Sequence, residues 1–92
     1  MATMIMPRVF IPPPLRTLTA GEEIVDVDGA NIAQVIESLE QRFPGMKERL
    51  CQDDALRPGL SVAVGDSVAT LGLLQRTAPD VEIHFLPAIG GG

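Results

Sequence analysis

Between residues 32 and 43 the apolar side chains Ile32, Val35, Ile36, Leu39 and Phe43 recur at spacings of three and four, the period of a helix that buries one face. The segments on either side alternate apolar with polar residues instead, the period of a strand. A single long helix flanked by strands has no second long helix to pack on, so its stripe must lie on a sheet.

The punctuation around that helix fixes its limits. Asn31 followed by Gln34 has the form of a capping box, Asp28-Gly29 makes a turn before it, and Pro44-Gly45 stops it. Upstream, Met4 to Ile11 reads as a first strand, ended by Pro12-Pro13-Pro14 because proline has no N–H to give to a ladder. After a turn at Gly21, Glu22 to Val27 reads as a second strand, antiparallel to the first. Downstream, MKERL is a further helical turn with Met46 and Leu50 on one side, and Asp53 to Gly59 is a polar, turn-rich loop. Leu60 to Val64 and Val81 to Leu86 alternate as strands, whereas Val68 to Leu74 keeps neither period.

The expected architecture is an α+β roll, a mixed sheet of four or five strands with one main helix on one face. No internal repeat divides the chain, so residues 1–87 form one domain and residues 88–92 a tail.

The charge balance narrows the partners. A formal charge of −5 and a pI near 4.6 argue against nucleic acid, whose phosphates want Lys and Arg. No run reaches the roughly 18 apolar residues of a membrane span, and MATMIMPRVF lacks the charged start and long apolar stretch of a secretion signal. The lone Cys51 has no partner for an internal disulfide, which fits a reducing compartment. A cytoplasmic protein is the expectation.

The sequence closes on LPAIGGG, and three terminal glycines bring no side chain to bury. A frayed terminus is one account of them. The other is that thinness is the function: six residues from Pro87 to the Gly92 carboxylate reach about 20 Å when extended, enough to thread a narrow active site. Activated as an acyl-adenylate by a partner that uses ATP, the carboxylate is open to a sulfur nucleophile, which expels AMP and leaves a thiocarboxylate.

The stretch DVEIHFLPAIGGG, from Asp80 to Gly92, resembles the close of the MoaD/ThiS sulfur carriers, where an acidic turn, a short strand, Leu-Pro and Gly-Gly occur together. IPPPLRTLTAG, IVDV and VIESLEQRFPGMKERL extend the resemblance over most of the chain, toward the MoaD-like branch that includes a cysteine-biosynthesis carrier. LSVAVGDSVATL departs from it by lacking an asparagine after the third strand, and His84 is an unusual occupant of the last. The resemblance implies a ubiquitin-like β-grasp fold. It also implies adenylation and thiocarboxylate formation at Gly92, with Gly91 and Gly90 threading the tail. The implied partners are a ubiquitin-activating-like adenylating enzyme and an acceptor, either the large subunit of molybdopterin synthase or a PLP-dependent cysteine synthase, with a lean to the second. In that role the chain is a co-substrate with no bound cofactor and is not itself an enzyme. Two alternatives stay open: a ubiquitin-like modifier joined to lysines through Gly92, and a plain interaction domain.

Alternation on the strands supplies the remaining candidates. Phe10, Ala63, His84 and Leu86 fall on the face turned from the helix, close to the tail, where they would form a docking patch for a partner. Phe10 packed beneath the proline loop is the competing placement. His84 has no nucleophile or metal-ligand spacing around it, Cys51 lacks an activating base nearby in sequence, and Glu22-Glu23 and Asp53-Asp54 read as solvated charge. No G-x-x-x-x-G-K-[ST] loop occurs, so activation chemistry has to come from a partner.

Overall fold

A computed structural model describes residues 6–87. The element order is β1 (Arg8–Phe10), β2 (Ile24–Asp26), α1 (Ile32–Arg42), α2 (Met46–Leu50), β3 (Cys51–Gln52), β4 (Ala55–Leu56), β5 (Leu60–Val64), β6 (Ser67–Val68) and β7 (Glu82–Pro87). Short 3-10 turns cover Pro13–Leu15 and Gly72–Leu74. The main sheet runs β2-β1-β7-β5-β6, with β1 and β7 parallel at its centre and the other pairs antiparallel. This is the expected α+β, ubiquitin-like β-grasp architecture.

Strand alternation decides which side of the sheet the helix covers. Val9, Val25, Val62, Ile83 and Phe85 are buried and meet Ile32, Val35, Ile36 and Leu39 of α1 in one core. Burying an apolar side chain of this size stabilises by about 1.5–3 kcal/mol against leaving it in water, so the thirteen buried among the described residues are a major term in the folding balance.

Local chemistry sets the ends of α1. The Asn31 side chain accepts a hydrogen bond from Gln34 N at 2.9 Å, and Gln34 Oε1 accepts from Ala30 N at 2.9 Å, one residue ahead of the capping-box position. Gly29 is required here, because a Cβ would stand 2.7 Å from both the Val35 backbone N and its Cγ2. At the far end Gly45 turns the chain at φ 100°, a left-handed conformation that suits glycine. There the Glu40 carboxylate accepts from Gly45 N and Lys47 N, capping α2. Those backbone bonds, the Lys47 one foremost, hold the Glu40 carboxyl below its ordinary range.

Three segments differ from the sequence reading. Asp53 to Gly59 is not all loop: Cys51↔Leu56 and Gln52↔Ala55 pair across a two-residue turn at Asp53-Asp54, at φ 54° and 63°. Aspartate tolerates the left-handed region, so the acid pair that reads as solvated loop also builds a hairpin turn. The stretch without a period resolves into β6 and the 3-10 turn at Gly72–Leu74. The first strand is shorter than Met4 to Ile11, with Met4 and Ile5 outside the described residues.

Candidate functional site

The tail residues Gly90, Gly91 and Gly92 lie outside the described residues, as does the proposed boundary at 88–92. What the structure describes is the strand that leads to them. β7 is central in the sheet, hydrogen-bonded to β1 on one side and β5 on the other as far as Leu60↔Pro87. The last described residues therefore belong to the middle strand of the sheet.

The four side chains expected on the open face are brought together there. Phe10 pairs with His84 across β1 and β7, and His84 with Ala63 across β7 and β5. Parallel and antiparallel partners share a face of the sheet, so the three form a row. The Phe10 ring stacks on the His84 imidazole, centroids 4.2 Å apart and planes 12° from parallel. That contact decides between the two placements of Phe10: its ring lies on the open face against His84. Leu86, two residues along β7, is 41% exposed beside this row.

The row is longer than the alternation alone suggested. Phe10 also pairs with Ile24 of β2, and Ala63 with Val68 of β6, so Ile24, Phe10, His84, Ala63 and Val68 cross all five strands. Ile24 and Val68 are exposed apolar residues at its two ends, and neither is among the expected docking residues. A signal existed for one: in EEIVDV the outward positions are Glu22, Ile24 and Asp26, where an isoleucine between two acids is out of keeping with a solvated face. Val68 depends on the Gly65-Asp66 hairpin register, which pairs Val64 with Ser67.

A charged row borders the apolar one. Arg8 is opposite both Asp26 and Glu82, and its Nε donates to Asp26 Oδ1 at 3.3 Å. Glu82 Oε1 stands 3.7 Å from His84 Nε2. Both pairs are largely solvated, so their net contribution is small.

On the helix side, a cleft of about 880 Å³ lies between α1, α2 and the β3–β4 hairpin. Glu37, Lys47, Cys51 and Asp54 line it, and Lys47 is paired with Glu37. Burial pushes the half-buried Cys51 thiol above its ordinary range, which suppresses the thiolate a nucleophile needs. None of the residues expected to act on a partner is in this cleft. Among the described residues no group of three or more His, Cys, Asp or Glu side chains is arranged to hold a metal ion, and no helix is long and apolar enough to cross a membrane.

Comparison with known proteins gives the arrangement a context. The description of the ThiS family matches residues 9–92. A chain of the Amycolatopsis orientalis BexX/CysO complex superposes with a TM-score of 0.86 at 34% identity, covering 94% of this chain and 99% of that one. Mycobacterium tuberculosis CysO gives 0.83 at 30% identity over 90% of this chain and 99% of its own. SAMP1 from Haloferax volcanii gives 0.74 at 24% identity over 94% and 98%, a likeness of fold alone. No match was found among curated protein sequences.

Proposed function

The chain belongs to the ThiS family and is similar to CysO, and from that premise we propose that it carries sulfur as a thiocarboxylate on Gly92. An adenylating partner joins the glycine carboxylate to AMP, with pyrophosphate leaving from ATP. A sulfide-level nucleophile then attacks the acyl carbon and AMP leaves. The product sulfur is passed to an acceptor enzyme.

The observation that carries this reading is the family match extending through the final glycine. Its physical support is the exit of the chain from β7, a strand anchored on both edges. A fixed base limits where a five-residue tail can go, which reduces the entropy lost when a partner captures Gly92. Gly91 and Gly90 present no side chain to a narrow channel. Phe10, Ala63, His84 and Leu86 would hold the body of the carrier against the partner during the reaction. The chain acts as a co-substrate and supplies no catalytic group of its own.

The 30–34% identity to CysO-related chains favours cysteine biosynthesis over molybdopterin as the destination of the sulfur, with a PLP-dependent synthase as acceptor. One of those relatives was crystallised in a BexX/CysO complex, which supports docking on a partner protein.

Removing Gly91 and Gly92 in the native host tests the function. Cysteine auxotrophy, relieved by supplied cysteine, is the expected result, and a molybdoenzyme defect without auxotrophy would redirect the sulfur to the pterin route. Isopeptide-linked Gly92 on cellular lysines would support the modifier reading instead. Growth without a metabolic defect would contradict carriage altogether.

A further inference from the structure

Of the seven cationic side chains Lys47 is the one lysine, and the other six are arginines. A guanidinium keeps its charge at any working pH and is not acylated, whereas an amine or thiol that sheds its proton attacks activated acyl groups. Lys47 and Cys51, the single lysine and the single cysteine of the chain, are therefore the side chains that an activated Gly92 endangers. Both line the cleft beside α1.

The unwanted reaction is an ordinary acyl transfer. Lys47 Nζ or Cys51 Sγ of one copy attacks the acyl carbon of the Gly92 adenylate of another. A C–N or C–S bond forms, the C–O bond to phosphate breaks, AMP leaves with the bonding electrons, and the proton of the nucleophile goes to water. Each such event consumes activated carrier and joins two chains.

We propose that this cleft protects the carrier from its own activated end, with Glu37, paired to Lys47, as the principal restraint. The inference rests on the sulfur-carrier reading above. Glu37, in the middle of α1, is hydrogen-bonded and ion-paired with Lys47 Nζ, and Asp54 of the β3–β4 turn lines the same cleft. An ammonium held by a carboxylate has to give up that pair before it becomes a free amine. The Lys47 pKa is accordingly raised, by the hydrogen bond to Glu37 first and the Glu37 charge second, with Cys51 and Asp54 adding to it and burial opposing it. The Cys51 thiol is raised by burial first. Glu37 and Asp54 add to that effect, and the cations Lys47 and Arg57 oppose it. The same two acids thus favour the protonated form of both nucleophiles. The other charged groups facing the cleft are Glu40 of α1, which caps Gly45 and Lys47, Glu48 of α2 and Asp53 of the turn. Near neutral pH, well below the lysine pKa, the free-amine fraction falls about tenfold for each unit by which the pKa rises, so the pairing slows acylation.

The test has a chemical arm and an enzymatic arm, both on the full chain. In the first, the N-hydroxysuccinimide ester of N-acetylglycine stands in for activated glycine, and peptide mapping gives the acylation rates at Lys47 and Cys51. Glu37→Gln is expected to raise the Lys47 rate about threefold near pH 7.5, the scale of a half-exposed ion pair. Asp54→Asn, which an αL turn position accepts, should raise it less, and Asp66→Asn, on the far β5–β6 turn, should leave it unchanged. Raising salt from about 0.02 M to about 1 M should speed the wild type toward the Glu37→Gln rate, a response that a change of packing would not produce. In the second arm the host's adenylating enzyme and ATP are supplied with sulfide withheld. Glu37→Gln should accumulate the covalent two-copy product, two chains less one water and linked through Lys47, about threefold faster than wild type. ATP–pyrophosphate exchange by the same enzyme, with the chain as varied substrate, should keep its wild-type KM and kcat.

Equal rates at Lys47 for wild type and Glu37→Gln in the chemical arm would overturn the restraint, whatever the enzyme does. A rise in that arm with no Lys47-linked product from either protein in the enzymatic arm would overturn the protection from a second copy, since the activated end would never reach the cleft. Absence of exchange by wild type would contradict the sulfur-carrier reading and the protective role with it, while the chemical arm would still report whether Glu37 restrains Lys47.

Discussion

The two faces of β7 are made from one alternating hexapeptide and serve different ends. Inward, Ile83 and Phe85 are buried at 0% and 4% exposure and hold the sheet to α1. Outward, His84 and Leu86 touch solvent, and His84 lies against Phe10 in a row that no element of the described fold covers. The inner face is set by what the chain must bury to fold. The outer face carries apolar surface that folding does not use, and such surface is what a partner would cover. The contrast also separates β7 from the cleft beside α1, where Glu37 and Lys47 are engaged with each other and Glu40 with the backbone.

Substitution on each face sharpens that contrast. Ile83→Ala removes a fully buried side chain between β1 and β5 and is expected to cost about 2–5 kcal/mol by urea unfolding, the range for large-to-small changes in a core. His84→Ala on the opposite face should cost about 1 kcal/mol or less, because it loses only a part-exposed stack. Similar losses at the two positions would erase the distinction between the faces.

Gly29→Ala comes next in size. Its added methyl meets backbone as well as side chain at 2.7 Å, so the α1 entry has to shift, at about 1–3 kcal/mol. Asn31→Ala removes the cap that accepts from Gln34 N and should lower stability by about 1 kcal/mol in the same assay. Both changes act on the helix side, and exchange kinetics measured on the folded fraction should stay at wild-type values. A change in KM would mean that the two faces are coupled.

The smallest effect is a pH dependence on the helix side. Glu40 has a folded-state carboxyl below its unfolded value, so its contribution is present above the unfolded value and is lost as pH falls through the folded one. Glu40→Gln should therefore flatten the acid limb of the melting temperature against pH. An unchanged acid limb would remove Glu40 as its source.

What could be read from sequence follows the same division. The inward face of every long element was legible because period 2 and period 3.6 are local properties, as Val9, Ile83 and the α1 stripe illustrate. The Asp53-Asp54 hairpin was not, since an acid pair looks the same in a loop and in a tight turn until its strands pair. Glu40 as a cap for α2 was also hidden, because it depends on how Phe43 to Gly45 fold the chain back on α1. Phe10, Ala63, His84 and Leu86 were visible as outward positions, but the continuous row with Ile24 and Val68 depends on register between strands far apart in sequence. The role proposed for Gly92 comes from resemblance, since three glycines alone do not distinguish a functional tail from a frayed one.

The most direct test of sulfur carriage is intact-mass spectrometry of the protein purified from its own cells. The account predicts a species about 16 Da heavier, the exchange of one carboxylate oxygen for sulfur, sensitive to an alkylating agent that traps thiocarboxylates and mapped to Gly92. An unmodified mass that stays unchanged with ATP, a sulfide source and the host's adenylating enzyme would contradict it.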